Sequence, residues 1–165
     1  MGEPNEPLGT AVSIHRWARG NAPSAQDIED LDVLLRELAA PDDPEPNLTR
    51  ENFVEHMRFT NAMLIIARDL TTGRIIGMAS LHEKHLLGIG LTGDVEEFVV
   101  KEEYRGRGIA EAMENALRLS ARESARERGI NLFLTSAWWR IAANKFYQRR
   151  GWTRYTTNNY CLILD

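Results

Sequence analysis

Apolar positions along the chain follow two periods. Ile28, Leu31, Leu34, Leu35 and Leu38 make the one-sided stripe of an amphipathic helix, with Ser24 or Asp27 placed to cap it. The prolines between 41 and 46 stop it, and Thr49 caps a second helix carrying Phe53, Val54 and Met57. Residues 12–17, 63–69 and 74–81 have strand patterning, and Thr71-Thr72-Gly73 joins the last two as an antiparallel pair. Residues 95–100 predict a further strand, with Glu96 and Glu97 inside it. The helical stripe returns in Ile109, Met113, Ala116, Leu117 and Ser120, leaving Glu111, Glu114, Arg118 and Arg122 for solvent and Gly129 as the stop. Residues 130–135 predict an interior strand, 141–150 a helix ended by Gly151, and 152–155 with 160–164 a closing hairpin. Strands alternating with helices predict an α/β (α+β) fold: a tail over 1–10, then one domain over 11–165.

Between the strand at 95–100 and the next helix lies Arg105-Gly106-Arg107-Gly108-Ile109-Ala110. Two glycines let the backbone approach a ligand closely and turn successive N–H groups to one point. The helix N-terminus and two arginines add positive charge, which suits a phosphate. The loop is no Walker A, because Lys and then Ser or Thr do not follow Gly108. It also lacks the third glycine of a dinucleotide fingerprint, since Glu111 stands there. A plain structural turn is the competing reading.

Further on, Asn144 and Tyr147 stand three apart and share a helix face. Tyr147 is a candidate proton donor if that face looks into a cleft; otherwise it is a packed aromatic. His82 and His85 lack zinc-protease spacing, so residues 82–85 are expected to be a solvated loop with no metal. Residues 86–93 are expected to be a flexible connection bordering a pocket.

The 165 residues, 43% hydrophobic and 27% charged, describe an ordinary globular chain, and its net charge of −4 argues against nonspecific nucleic-acid binding. Arginines cluster at 118–128 and 149–154, and the mixed-charge run at 122–128 is expected to be a solvated helix end, not a nucleic-acid patch. No apolar run approaches the ~20 residues that span a bilayer, and the opening residues lack signal-peptide patterning. Myristoylation is set aside because Glu6 stands where Ser or Thr is needed. A single cysteine, Cys161, fits a reducing, cytoplasmic setting as an inert strand residue.

The order Arg105-x-x-Gly108-x-Ala110, then Asn144-x-x-Tyr147-x-x-x-Gly151-aromatic with a helix–strand pair between them, resembles the GNAT superfamily of acyl-CoA-dependent N-acetyltransferases. The resemblance is dense from 60 to 160. It implies a mixed central sheet of about six to seven strands flanked by helices, with acyl-CoA in the cleft between splayed central strands. It implies acetyl-CoA as co-substrate and no metal. Residues 105–110 would then hold the pyrophosphate, the backbone of Phe98, Val99 and Val100 would pair with pantetheine, and Asn144 would contact that arm. Tyr147 would be the acid for the leaving thiolate. The chain departs from the pattern at Ala110, where Gly is commoner, and at Trp152, where Phe is usual.

An amine must lose a proton before it attacks a thioester, so a base is needed. On a regular strand Glu96 and Glu97 point to opposite faces, so one enters the cleft. Glu96 is preferred, with Glu97 or Asp94 as alternatives and a water relay compatible with either; the competing reading is that the carboxylates only pair with arginines. A backbone N–H of Val99 or Val100 is a candidate oxyanion donor. The expected activity is transfer of acetyl to a primary amine of a small molecule by direct attack. Alternatives are a protein N-terminal or lysine acetyltransferase, and a non-catalytic acyl-CoA-binding or regulatory module. A nucleotide-binding module would need a base- or ribose-recognition feature that the sequence does not show. Trp138, Trp139 and residues 25–58 are expected to help shape the acceptor pocket. Neither nucleic acid nor membrane is expected as a partner; a homodimer through the C-terminal strands is the association that the resemblance suggests.

Overall fold

The computed structural model describes residues 11–40, 43–58, 62–126 and 129–157. The expected tail, Cys161 and the second arm of the closing hairpin lie outside them. The described chain forms two compact units that divide after Leu134.

The first unit is built on one sheet in the order β1-β2-β3-β4-β5: Val12–Arg16, Ala62–Asp69, Ile75–Leu86, Gly90–Val100 and Asn131–Leu134. The first four strands run antiparallel to their neighbours, and β5 is parallel to β4. Alternation gives the sheet two apolar faces. On one, Leu64, Ile66, Met78 and Val99 pack with Trp17, with Leu31 and Leu34 of helix α1 (Ala25–Leu38), and with Phe53 of α2 (Arg50–Arg58). On the other, Gly77 lies beneath Met113 of α3 (Ile109–Ala125), so close that a β-carbon there would sit 2.8 Å from the Met113 sulfur. Helices therefore cover both faces.

The caps follow the sequence. Ser24 and Asp27 make a reciprocal capping box on α1, and Thr49 Oγ1 accepts from the Asn52 N–H at 3.1 Å. Ionic pins then fix α1 to the sheet. Buried Asp30 accepts from Arg74 Nε at 2.6 Å and from the Ile75 N–H at 2.8 Å, while Asp27 accepts from Arg68 at 2.8 Å.

Several expectations are corrected. The solvated loop at 82–85 is the continuation of β3, which pairs residue by residue with β4 as far as Leu86↔Gly90. Residues 86–93 are accordingly a hairpin tip and the start of a strand. Glu114 is buried, 1% exposed, and paired with Arg118 one turn along. Helix α3 ends on left-handed Arg126 (φ +45°), ahead of Gly129. The strand at 131–134 borders the five-stranded sheet as described, and residues 152–157 carry no strand.

The second unit holds the loop before helix α4 (Ile141–Arg149), the helix itself and the segment that follows. Gly151 (φ +83°) ends the helix: its N–H donates to Gln148 O at 3.1 Å, and the Trp152 N–H reaches back to Tyr147 O at 3.0 Å. That pair of bonds is the Schellman closure, which needs a left-handed residue at the position Gly151 holds.

Candidate active site

The first unit's site begins at a fault in β4. Ser80 pairs with Glu96 and Met78 with Val99, so β4 spends one more residue than β3 between those points. Glu97 takes up the excess in a left-handed conformation (φ +46°), the mark of a β-bulge. The bulge breaks the alternation that was expected to send Glu96 and Glu97 to opposite faces. The Glu97 carboxylate accepts from the Ser80 hydroxyl, the side chain on the residue paired with Glu96. Both acids therefore belong to one cluster.

Around them stand His82, whose Nε2 is 3.1 Å from Ser80 Oγ, and His56 of α2, whose ring meets His82 edge-on with centroids 5.1 Å apart. Lys84 and Asp94 form an ion pair alongside. Glu96 is exposed overall, yet its carboxyl is partly desolvated. That desolvation, joined by the charges of Glu97 and Asp94, raises its pKa above the ordinary glutamate value. Burial lowers the pKa of His56. Neither Ser80 nor His56 stood out in the sequence, and His82 was weighed only as a metal ligand. Among the described residues no cluster of three His, Cys, Asp or Glu could hold a metal ion.

Beyond the bulge, Val99 and Val100 anchor β4 in the core, and Phe98 is half-buried. Parallel pairing to β5 runs from Thr92↔Asn131 to Val95↔Leu134, and β4 continues past it to Val100. The Lys101 N–H donates to Ile76 O at 2.9 Å, on β3. By strand alternation Val99 N–H turns the same way and Val100 N–H turns to the far edge.

A short 3-10 turn, Glu102–Tyr104, leads into the glycine loop. Gly106 (φ +75°) and Gly108 (φ +77°) are both left-handed, and a β-carbon on Gly106 would meet nothing within 4 Å. Gly108 is the N-cap of α3, whose ladder opens with Ala112 N–H donating to Gly108 O at 3.0 Å. The N–H groups of Ile109 and Ala110 precede that first bond, at the positive end of the helix. The Ile109 side chain is buried, so its part in a site is its backbone. Arg105 is exposed but doubly held, donating through Nε to Val100 O at 2.8 Å and pairing with Glu37 at 3.1 Å. Arg107 donates to Glu103 O at 2.8 Å and lies 5.1 Å over the Tyr104 ring. Two left-handed glycines at a helix N-terminus, with open space beside Gly106, fit a pyrophosphate, with the backbone as the main donor.

In the second unit Asn144 Nδ2 donates to Ala137 O at 2.9 Å, and the half-buried Tyr147 lies edge-on to Phe146 and Trp152. Trp138 and Trp139 are exposed and perpendicular to each other.

A bulged strand feeds a glycine loop and the N-terminus of a helix, on a mixed sheet, an arrangement suited to an anionic ligand. The Acetyltransferase (GNAT) family model matches residues 28–152, and the chain belongs to that family. Solved structures agree on the fold. An acetyltransferase of Trypanosoma brucei is 23% identical, with a TM-score of 0.68 over 93% of this chain and 100% of its own. An aminoglycoside acetyltransferase from an uncultured soil metagenomic sample, in complex with trehalose, is 15% identical, with a TM-score of 0.74 over 93% and 97%. Ribosomal-protein-alanine N-acetyltransferase from Brucella melitensis biovar Abortus 2308 is 21% identical, with a TM-score of 0.66 over 94% and 100%. No curated protein matches the sequence significantly.

Proposed function

We propose that the protein transfers acetyl from acetyl-CoA to a primary amine of a small molecule, by direct attack and without a covalent enzyme intermediate. The observation that carries this reading is the bulge at Glu97. It sets two carboxylates beside the stretch of β4 that runs past its parallel partner, in a chain whose family acetylates. When bound, acetyl-CoA supplies an activated acetyl thioester.

This chain's residues supply the rest. The backbone of residues 106–110 would hold the pyrophosphate, and the edge of Phe98–Val100 the pantetheine. Arg105 braces the loop through Val100 and Glu37. Glu96 is the base that takes the ammonium proton: its raised proton affinity brings it nearer the pH of work than an ordinary carboxylate. Of the two oxyanion candidates Val100 is preferred, since alternation turns its N–H away from β3. Tyr147 is assigned as the acid that returns a proton to the departing sulfur, and Asn144 as a contact to the pantetheine arm, on the family's pattern. Asp94, Glu96 and Glu97, close enough for their charges to act on one another, suit a cationic acceptor.

Calorimetric titration with acetyl-CoA, then thiol release across polyamines, amino sugars, amino acids and peptides, tests the reading. Binding with release for a small amine supports it. Release only with peptides would move the protein to peptide acetylation, and absence of binding would sink the assignment.

A further inference from the structure

The buried Ser80 hydroxyl has one hydrogen, and it has two neighbours that could take it: the Glu97 carboxylate and His82 Nε2 at 3.1 Å. An ionised carboxylate only accepts, so the hydrogen goes to Glu97. A lone pair of Ser80 then faces His82, and His82 must present a hydrogen on Nε2. The chain runs one way: His82 Nε2–H to Ser80 Oγ–H to Glu97. It ends on a residue whose backbone is left-handed, a conformation that a non-glycine residue holds only where its surroundings compensate. The His56 ring closes the other end, edge-on to His82.

We propose that His82 and Ser80 are positioning residues whose one-way hydrogen-bond chain holds the Glu97 carboxylate beside Glu96 and so tunes Glu96 as the base. The proposal rests on the acetyltransferase reading above. The groups that act on Glu96 are Glu97 and Asp94 from β4, and His82 and Lys84 from β3. His56 of α2 bears on His82 and Glu97. The two neighbouring acids raise the proton affinity of Glu96, and Glu97 is the one that the chain holds in place.

Ser80→Ala removes the link and leaves every charge present. With the chain cut, Glu97 is free to turn toward water, and Glu96 loses part of the repulsion that favours its protonated form. The acid-side limb of kcat/KM should therefore move to lower pH. Detuning of the base should lower kcat about 10- to 100-fold while acetyl-CoA affinity by calorimetry stays within about 2-fold. His82→Ala should lower kcat similarly, and His82→Gln, which keeps an N–H donor, should recover most of it. Unchanged kcat and an unmoved acid limb in Ser80→Ala would overturn the proposal.

A readout without turnover separates this from failure of the reaction itself. Nitrogen-15 imidazole spectra of the wild-type protein should show His82 protonated at Nε2, with that signal perturbed in Ser80→Ala. His82 protonated at Nδ1 alone would overturn the chain even in an active enzyme. The expected tautomer in a protein that acetylates nothing would uphold the chain and refute the reaction.

Discussion

The Trp152 N–H donates to the Tyr147 carbonyl at 3.0 Å, and the two rings meet edge-on with centroids 6.0 Å apart. Gly151 makes this possible, because only a left-handed residue turns the chain back so sharply after a helix. The spaced Tyr, Gly and aromatic are thus one mechanical unit: the helix end folds an aromatic onto the tyrosine. Gly151→Ala should destabilise the protein by about 1 kcal/mol through strain at positive φ. It should also lower kcat, because Trp152 no longer fixes the Tyr147 ring. Thermal unfolding and steady-state kinetics check the two effects; loss of stability with wild-type kcat would separate Trp152 from catalysis.

Tyr147→Phe removes the hydroxyl and keeps the ring packed against Phe146 and Trp152. The unfolding midpoint should stay close to wild type. If Tyr147 is the acid, kcat should fall about 10²-fold or more with acetyl-CoA affinity nearly unchanged. A rate equal to wild type would leave the residue a packing role alone.

Gly108→Trp tests the phosphate loop. The position is left-handed and caps α3, so a large side chain there both strains the cap and fills the mouth of the helix N-terminus. Acetyl-CoA binding should become undetectable by calorimetry in a protein that still shows a folded circular-dichroism spectrum. Undiminished binding would place the pyrophosphate elsewhere.

Gly77 shows how closely α3 lies on the sheet. A β-carbon there would fall 2.8 Å from Met113 Sδ and 3.1 Å from the Val99 carbonyl. The sulfur can move, but the backbone oxygen cannot without disturbing β4. Gly77→Ala should cost about 1–3 kcal/mol by overpacking, read from denaturant unfolding. Met113→Ala alone should cost about 2–5 kcal/mol as a cavity, and in the double variant the Gly77→Ala cost should shrink only by the part due to the sulfur.

The elements were legible where one residue dictates local geometry: Ser24 and Thr49 as caps, Gly106 and Gly108 before α3, and Gly151 after α4. Periodicity also found the apolar stripe of α1 and the central strands. It failed where a distant partner overrides the local pattern. Residues 82–85 are polar, and they form a strand only because residues 91–94 pair with them. Glu114 looked solvent-facing until Arg118 is seen to satisfy it in a buried site. The same limit governs the site. Strand alternation separates Glu96 from Glu97, whereas a bulge costing one residue reunites them around Ser80. No sequence period announces a bulge at a glutamate.

Tyr104 connects the glycine loop to the β2–β3 turn. Its hydroxyl donates to Asp69 at 2.9 Å, and Asp69 also accepts from the Thr71 N–H at 2.8 Å within that turn. The Thr71 N–H foremost, and then the Tyr104 hydroxyl, hold the Asp69 pKa below the ordinary aspartate value. A depressed folded-state pKa means that the ionised form stabilises the fold. That contribution is complete above the ordinary aspartate value and is lost as pH falls through the lower folded one. The unfolding midpoint should therefore drop as pH falls below about 4, with Asp69 one contributor among the acids. Asp69→Asn should lower the midpoint at neutral pH and make the acid slope shallower. Because the contact braces the segment that leads into Arg105 and Gly106, the same variant should weaken acetyl-CoA binding about 3- to 10-fold, the loss expected from one charge-assisted hydrogen bond. A shallower acid slope with wild-type binding would confine the Tyr104–Asp69 contact to stability.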